Sequence, residues 1–439
     1  MAGNTTPDKF DNSQFATNVH SLETENINQL VDHLFRNESG KMVAVLTKLL
    51  GLERLETAQD IVQDTLLKAM AVWSYSGAPK NPAAWLYHVA KNNAIDYLRR
   101  EKTFKKIGSE LSKLRGIEII AEPELQNIFL ENEIQDSQLR MMFACCHPQI
   151  PQESQIALAL KTLCGMSVHE IANAFLTSDD TIAKRIYRAK EKIRNQKIEL
   201  EVPPPASMLL RLEAVLQTLY LLFNEGYNSS HPDKLIREDL CENAMRLCHL
   251  LTQHSGINNP SIKALLALMC FQSSRLQSRI DERGNIITLK YQDRSTWNRQ
   301  LIKKGFDYLD EATESDSFSA YHLEAAIASQ HSAAPSFEQT DWKTVYHLYE
   351  VLYTIKPTPV IALNKAIASA YAISMQSALE ALYKIKGLEK HYLYFATLGE
   401  MCFGLNKKQE AKNYFTQALG LTTSRSEQQL LNEKIISCN

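Results

Sequence analysis

The sequence predicts an all-α chain: two small helical bundles, the second a helix-turn-helix, followed by a long C-terminal helical-repeat domain. Three observations predict it. Apolar residues recur at three- and four-residue spacing along most of the chain, and β-branched runs are few. Helix-capping residues and basic turns bracket the stretches between Ala58 and Arg194. The segment Val202-Pro203-Pro204-Pro205 is a stiff extended break that no helix crosses, and it separates the two bundles from the remainder. The single strand signal is a short hairpin near Gly284-Asn285.

The 439 residues exceed what one domain usually holds. We read 1–20 as a disordered N-terminus, 21–106 as the first bundle, 107–137 as an acidic linker, 138–200 as the second bundle and 206–439 as the C-terminal domain. A composition of 44% hydrophobic and 22% charged residues fits a globular, soluble protein. No apolar run reads as a membrane span, and MAGNTTPDKFDNSQ lacks the basic-then-apolar pattern of a signal segment, so a cytoplasmic protein is expected. The eight cysteines have no regular spacing, which fits reduced thiols. A net charge of −2 excludes little, but charge is segregated: Leu98–Lys106 and Lys184–Lys197 are basic and the linker between them is acidic.

In the first bundle, Ala58–Trp73 is two-faced. Ala58, Val62, Leu66, Ala69 and Trp73 form one stripe, and Asp60, Asp64, Leu67 and Ala71 lie opposite. Two carboxylates beside an exposed leucine suit a protein partner that offers basic residues around an apolar notch. No histidine, cysteine or metal-type spacing accompanies them, so a catalytic role is not assigned. On Ala84–Arg100, Leu86, Val89, Ala90, Asn93, Ala94 and Tyr97 share the apolar side. His88, Lys91, Asn92, Asp96 and Arg99 share the other, with Trp85 and Ile95 beside them and Arg100 just beyond. Lys91 and Arg99 suit phosphates, and Asn92 and His88 suit base edges. Most such stripes are no more than solvated helix faces, and Trp85 reads better as a boundary core residue than as a stacking platform.

In the second bundle, Ser167 and Glu170 form a capping box ahead of SVHEIANAF. After Leu176-Thr177, Ser178 caps a second helix with Asp179 and Asp180 in its first turn. Ile182, Ile186, Ala189 and Ile193 face inward, and Asp180, Thr181, Lys184, Tyr187, Arg188 and Glu191 face outward. This is helix-turn-helix layout, in which the second helix enters a major groove and its basic tail meets phosphates. The pairs Cys145-Cys146-His147 and Cys248-His249, with Cys164, His169 and Cys241, do not follow a metal-ligand spacing and read as core. Tyr346, Tyr349 and Tyr353 read as a packed helix face, and Asn224-Glu225-Gly226 has no nucleophile or base nearby. Near the C-terminus, Phe395, Leu398, Gly399, Cys402, Ala411, Phe415 and Ala418 follow a tetratricopeptide-like spacing, and Val360–Ile385 fits it loosely. Gly399 and Ala411 would let two helices approach, with Phe395 and Phe415 filling between them.

Taken together, AQDIVQDTLLKAM, NPAAWLYHVAKNNAIDYLRREK and SVHEIANAFLTSDDTIAKRIYRAKEKIR resemble region 2 and region 4 of an extracytoplasmic-function sigma factor of bacterial RNA polymerase. YLLFNEGY, YQDRSTWNRQLIKKG, the stretch around Glu324, Thr340-Asp341-Trp342 and ALNKAIA are similar to the long C-terminal extension of one subgroup, which carries tetratricopeptide-like repeats. The resemblance implies that Asp60, Asp64 and Leu67 bind the β′ coiled coil of core polymerase, with the β subunit also a partner. It implies that His88, Lys91, Asn92, Asp96, Arg99 and Arg100 hold the −10 element while the loop Ser74–Asn81 takes up a flipped base. It further implies that Asp180, Thr181, Lys184, Arg185, Tyr187 and Arg188 read the −35 element, and that the acidic linker threads the channel that later carries RNA. Flipping a base costs a few kcal/mol, which a snug pocket and phosphate contacts can offset. The work is binding, with no catalytic residue, no metal and no cofactor expected. The extension, with no counterpart in typical members, is expected to regulate the sigma part in cis or to dock a regulatory protein or ligand, away from any membrane. The rival reading is a polymerase-independent helix-turn-helix regulator with a repeat-type sensor domain. It should bind duplex tightly alone and often dimerise, whereas a sigma factor works once joined to polymerase. The acidic face of Asp60 and Asp64 favours the sigma reading.

Overall fold

The computed structural model describes residues 12–109 and 128–439, apart from 255, 258 and 315–317. The chain is 74% helical. The described residues contain no strand. At the predicted hairpin, Gly284 adopts φ +81° and a lone antiparallel bridge joins Ile280 to Ile286. The chain divides into two compact units, residues up to 171 with 179–203, and 172–178 with 204–439.

The first unit begins with α1 (Asn12–Leu50), α2 (Leu55–Ser76) and α3 (Pro82–Ser109). Helix α1 starts inside the stretch read as disordered, so 12–20 are helical, while 1–11 lie outside the described residues. Gly51, at φ +95°, makes the turn into α2, where a side chain would be strained. The α2 stripe is buried as its periodicity predicts, from Ala58 through Val62, Leu66 and Ala69 to Trp73. Helix α2 runs three residues into the expected base-capturing loop, so that Ser74, Tyr75 and Ser76 are helical and the loop shortens to 77–81.

Then follow α4 (Glu131–Cys145), α5 (Gln152–Thr162), α6 (Val168–Ala174) and α7 (Asp179–Gln196). Helix α4 starts within the stretch read as linker, and 110–127 lie outside the described residues. Two of the acids counted there hold α4 on α1: Lys48 Nζ meets Glu133 at 2.8 Å and Asp136 at 2.7 Å. Gly40 lets α1 approach the end of α5, because a Cβ at this position would lie 1.9 Å from the Leu163 carbonyl oxygen. Cys145, Cys146 and Cys164 are buried, and Cys145 Sγ lies 3.5 Å from Thr162 Oγ1, so these thiols pack as core.

The second unit opens with α8 (Pro205–Tyr227), whose N-terminus follows the proline break. This helix is long and apolar enough to cross a membrane by length and composition, contrary to the sequence reading that no run qualifies. Its apolar side, including Leu212, Leu216, Leu219 and Phe223, is buried among its neighbours. Helices α9 (Glu238–Thr252), α10 (Pro260–Ser273), α11 (Arg299–Thr313), α12 (Ala320–Ala333), α13 (Trp342–Ile355) and α14 (Pro359–Ala372) follow. Helix α10 is buried on nearly every side and forms the centre of this half, packing on α9, α11 and α12. Cys241 and Cys248 are buried on α9.

The chain ends with α15 (Met375–Leu382), α16 (Tyr392–Gly404), α17 (Lys408–Leu419) and α18 (Arg425–Ser437), each packed on the next. Gly399 on α16 faces the Phe415 ring of α17, where a Cβ would lie 2.5 Å from the ring edge. Leu398, Ala411, Phe415 and Ala418 are buried around it. Gly399→Ala is expected to destabilise this end by about 1–3 kcal/mol, because the packed ring must move. Calorimetry would show a lowered transition, and an unchanged one would mean that the α16–α17 spacing relaxes freely.

His331 on α12 titrates well below its ordinary 6.5, pushed down to about 3 by burial and then by the Arg275 and Arg294 charges. The folded state therefore binds fewer protons than the unfolded chain between those values. The stability is fully present above the unfolded value and is lost as pH falls. We expect wild type to lose up to about 1.4 kcal/mol per pH unit through this residue below pH ~6.5. His331→Gln should flatten that slope between pH 7.5 and 5, measured by thermal unfolding. Equal slopes for the two proteins would remove His331 as the cause.

Candidate nucleic-acid and polymerase interface

Helices α2 and α3 pack against each other through their apolar stripes, which leaves their opposite faces open. On α2, Asp60, Asp64 and Leu67 are exposed, Leu67 at 55%, and the apolar surface continues through Met70. Neither carboxylate forms a hydrogen bond or ion pair among the described residues. The face is two carboxylates one helical turn apart, with Leu67 about one turn further on and the exposed Lys68 beside it.

On α3, His88, Asn92, Asp96, Arg99 and Arg100 are exposed, while Lys91 is half-buried. His88 Nε2 and Asn92 Nδ2 lie 3.0 Å apart, and Arg99 lies 3.8 Å from Asp96. These groups form a polar row with loose internal partners. Trp85 and Ile95 do not share that exposure. Trp85 is half-buried and meets Trp73 edge-on, with ring centroids 5.3 Å apart, so it ties α3 to α2.

The capping box forms as its residues suggest: Ser167 N donates to Glu170 Oε2 at 2.6 Å, and Glu170 N donates to Ser167 Oγ at 3.1 Å. On α7 the inward stripe Ile182, Ile186, Ala189 and Ile193 is buried. Asp180, Lys184, Tyr187 and Arg188 are exposed and Thr181 is half-buried, with Lys184 bonded to Asp180 at 2.6 Å. Arg185 departs from the outward set. It is half-buried and paired with Glu153 of α5, so it fixes α7 to the bundle instead of facing outward.

Sequence reasoning missed how α7 ends. Lys190 Nζ donates to Gln59 Oε1 at 2.8 Å, and Glu56 lies 3.5 Å from Lys190 and 3.6 Å from Arg194. The basic tail of α7 therefore rests on the first turns of α2. A cavity of about 410 Å³ lies beside this contact, with Asp60 and Tyr187 both on its wall. The only local signal was opposite charge, a lone Glu56 and a Lys190/Arg194 pair one turn apart, and nothing in the sequence matched them. Among the described residues no group of three or more His, Cys, Asp or Glu side chains is placed to hold a metal ion.

Residues 34–104 match the family model for sigma-70 region 2, and residues 140–193 match that for sigma-70 region 4. The chain is an extracytoplasmic-function sigma factor with a C-terminal extension. Residues 211–313 of the sigma factor match a family of unknown function, DUF6596. Over 376 residues it is 34% identical to uncharacterized protein R00370 of Rhizobium meliloti, covering 85% of this chain and 88% of the relative. It is 22% identical over 156 residues to the ECF RNA polymerase sigma factor SigW of Bacillus subtilis, covering 36% and 82%. To the ECF RNA polymerase sigma-E factor of Escherichia coli K12 it is 28% identical over 144 residues, covering 31% and 72%. No solved structure matches it. The match to the long relative reaches into the C-terminal unit, while the two shorter ones span only about a third of the sigma factor. Its family implies binding to core RNA polymerase and promoter DNA, in a group that is generally non-enzymatic.

Proposed function

We propose that this sigma factor docks on the β′ coiled coil of core polymerase through Asp60, Asp64 and Leu67, with β as a second contact. It holds the −10 element on the His88, Asn92, Asp96, Arg99 and Arg100 face, with Lys91 at its edge. It takes up a flipped base at 77–81 and reads the −35 element with the exposed Asp180, Lys184, Tyr187 and Arg188 and the half-buried Thr181. It works in the cytoplasm. Its C-terminal helical unit, residues 206–439, adjusts this activity in cis through a bound protein or ligand.

The observation that carries the reading is the unsatisfied α2 face beside the polar α3 face, each backed by a buried stripe. Two acids one turn apart, followed by an exposed leucine, suit a partner that offers basic residues beside an apolar notch. The test is reconstitution with core polymerase, scored as run-off transcription from promoters selected from a randomised library. Output should require both components, and Lys184→Ala with Arg188→Ala should weaken promoter binding about 10-fold or more through lost phosphate and base-edge contacts. Removal of residues 206–439 should change output in either direction, and unchanged output would count against regulation in cis. Tight duplex binding by the chain alone, indifferent to polymerase, would favour a stand-alone regulator.

A further inference from the structure

The C-terminal unit contains a cavity of about 580 Å³ enclosed by α8, α10, α12, α13 and α14. That volume is in the range of pockets for small organic ligands. It lies against the buried cluster of Leu323, Ile327, Val345, Leu352, Ile361 and Ala368, so part of its wall is apolar. Tyr220, Trp342 and Tyr349 supply aromatic surface.

The charged groups on the wall are unbalanced. Arg275, half-buried, spends Nε and Nη2 on the Gln272 side-chain oxygen at 3.3 and 2.9 Å, and its guanidinium lies 5.5 Å from the Tyr227 ring centroid. Lys356 stands at the mouth, with Nζ 5.9 Å from the Tyr220 ring centroid. Neither forms an ion pair among the described residues. The one carboxylate on the wall, Glu324, accepts a hydrogen bond from Tyr220 at 2.8 Å. Burial raises its pKa, against the pull of that hydrogen bond and of Lys356, and so works against its negative charge. His331 leaves Nδ1 buried with no partner. A half-buried guanidinium with no counter-charge is partly desolvated, and an anion in the cavity would offset that cost.

We propose that this cavity binds a small organic anion, a carboxylate or phosphate carried on a planar ring, with Arg275 and Lys356 holding the anionic group and Trp342 and Tyr349 packing on the ring. Arg275 can offer its remaining N–H groups to two oxygens, geometry that suits either anion. The ring requirement comes from the aromatic wall, where offset or edge-on packing adds to area burial. The site deepens the reading of the C-terminal unit as a regulator and rests on that reading only for its consequence, not for binding.

The test uses the full chain with 4-hydroxybenzoate, indole-3-acetate and AMP as probes and inorganic phosphate as the ringless control, by calorimetric titration and thermal shift. At least one ringed probe should saturate with a dissociation constant below about 1 mM. Arg275→Gln should weaken it about 10-fold or more, which corresponds to about 1.4 kcal/mol. Lys356→Gln, at the exposed mouth, supplies the same readout should Arg275→Gln fail to fold. The carboxylate and AMP arms show which anion is preferred. Three results would overturn the site: no saturable binding of any ringed probe, binding that ignores both substitutions, or phosphate binding as tightly as the ringed probes. If a probe binds as expected while run-off transcription ignores it, the site stands and regulation by it falls.

Discussion

Reversing both aspartates, Asp60→Lys with Asp64→Lys, is expected to weaken binding to core RNA polymerase by at least about 100-fold, since a close interfacial charge typically contributes about 2–5 kcal/mol when its partner is left unpaired. Both side chains are exposed and make no hydrogen bond or ion pair among the described residues, so folding should be nearly unaffected. The expected pattern is a loss of complex in competition titrations with core enzyme, an unchanged thermal transition, and a partial return of binding when a basic residue on the partner is reversed to acidic. A less than threefold change in affinity would mean that this face is only solvated surface.

The largest stability effect is expected at Gly40→Ala, at least about 3 kcal/mol, which places it in the exceptional tail of single substitutions. A Cβ there meets backbone, the Leu163 carbonyl oxygen at 1.9 Å and its carbon at 2.8 Å, so no rotamer change relieves the clash. Either α1 moves away from the end of α5 or the first unit loses its packing, and both would lower its transition by several degrees. Gly77→Ala offers a contrast, because φ there is +74° but nothing lies within 4 Å of the added atom. It should cost only the backbone strain of a non-glycine residue at φ +74°, ψ 162°, about 1–3 kcal/mol with no steric overlap added. Similar losses at the two positions would show that steric overlap at Gly40 is not the cause.

What could be read from sequence was local. The buried stripes on α2 and α7 follow from spacing within one helix, and the capping box follows from two residues three apart. The fit of Gly399 against Phe415 joins two neighbouring helices, whose close approach a small residue permits. Contacts between distant segments were hidden. Arg185 looked like one more outward cation of a basic helix until Glu153, on another helix, claimed it. Glu133 and Asp136 read as linker charge from sequence, whereas they lie in the first turns of α4 and pair with Lys48. Apolar length alone could not distinguish α8 from a membrane helix, because burial against neighbours is a tertiary property. The C-terminal cavity was hidden for the same reason. Its charged and ionisable residues come from positions 275, 324, 331 and 356, and only packing brings them to one wall.

The seating of α7 on α2 couples two properties of the molecule. With Lys190 and Arg194 already answered by Gln59 and Glu56, the second half of α7 keeps Arg188 and Lys192 as its exposed cations for a DNA backbone. Counterion release grows with the number of phosphates neutralised, so the two cations held on α2 are subtracted from what the unaccompanied chain can offer a duplex. Glu56 lies one helical turn from Asp60, and a partner that covers the second crowds the first. A partner that takes hold of that acidic edge is expected to free these two cations for nucleic acid, and by reciprocity nucleic acid that draws them away should leave the edge easier to grasp.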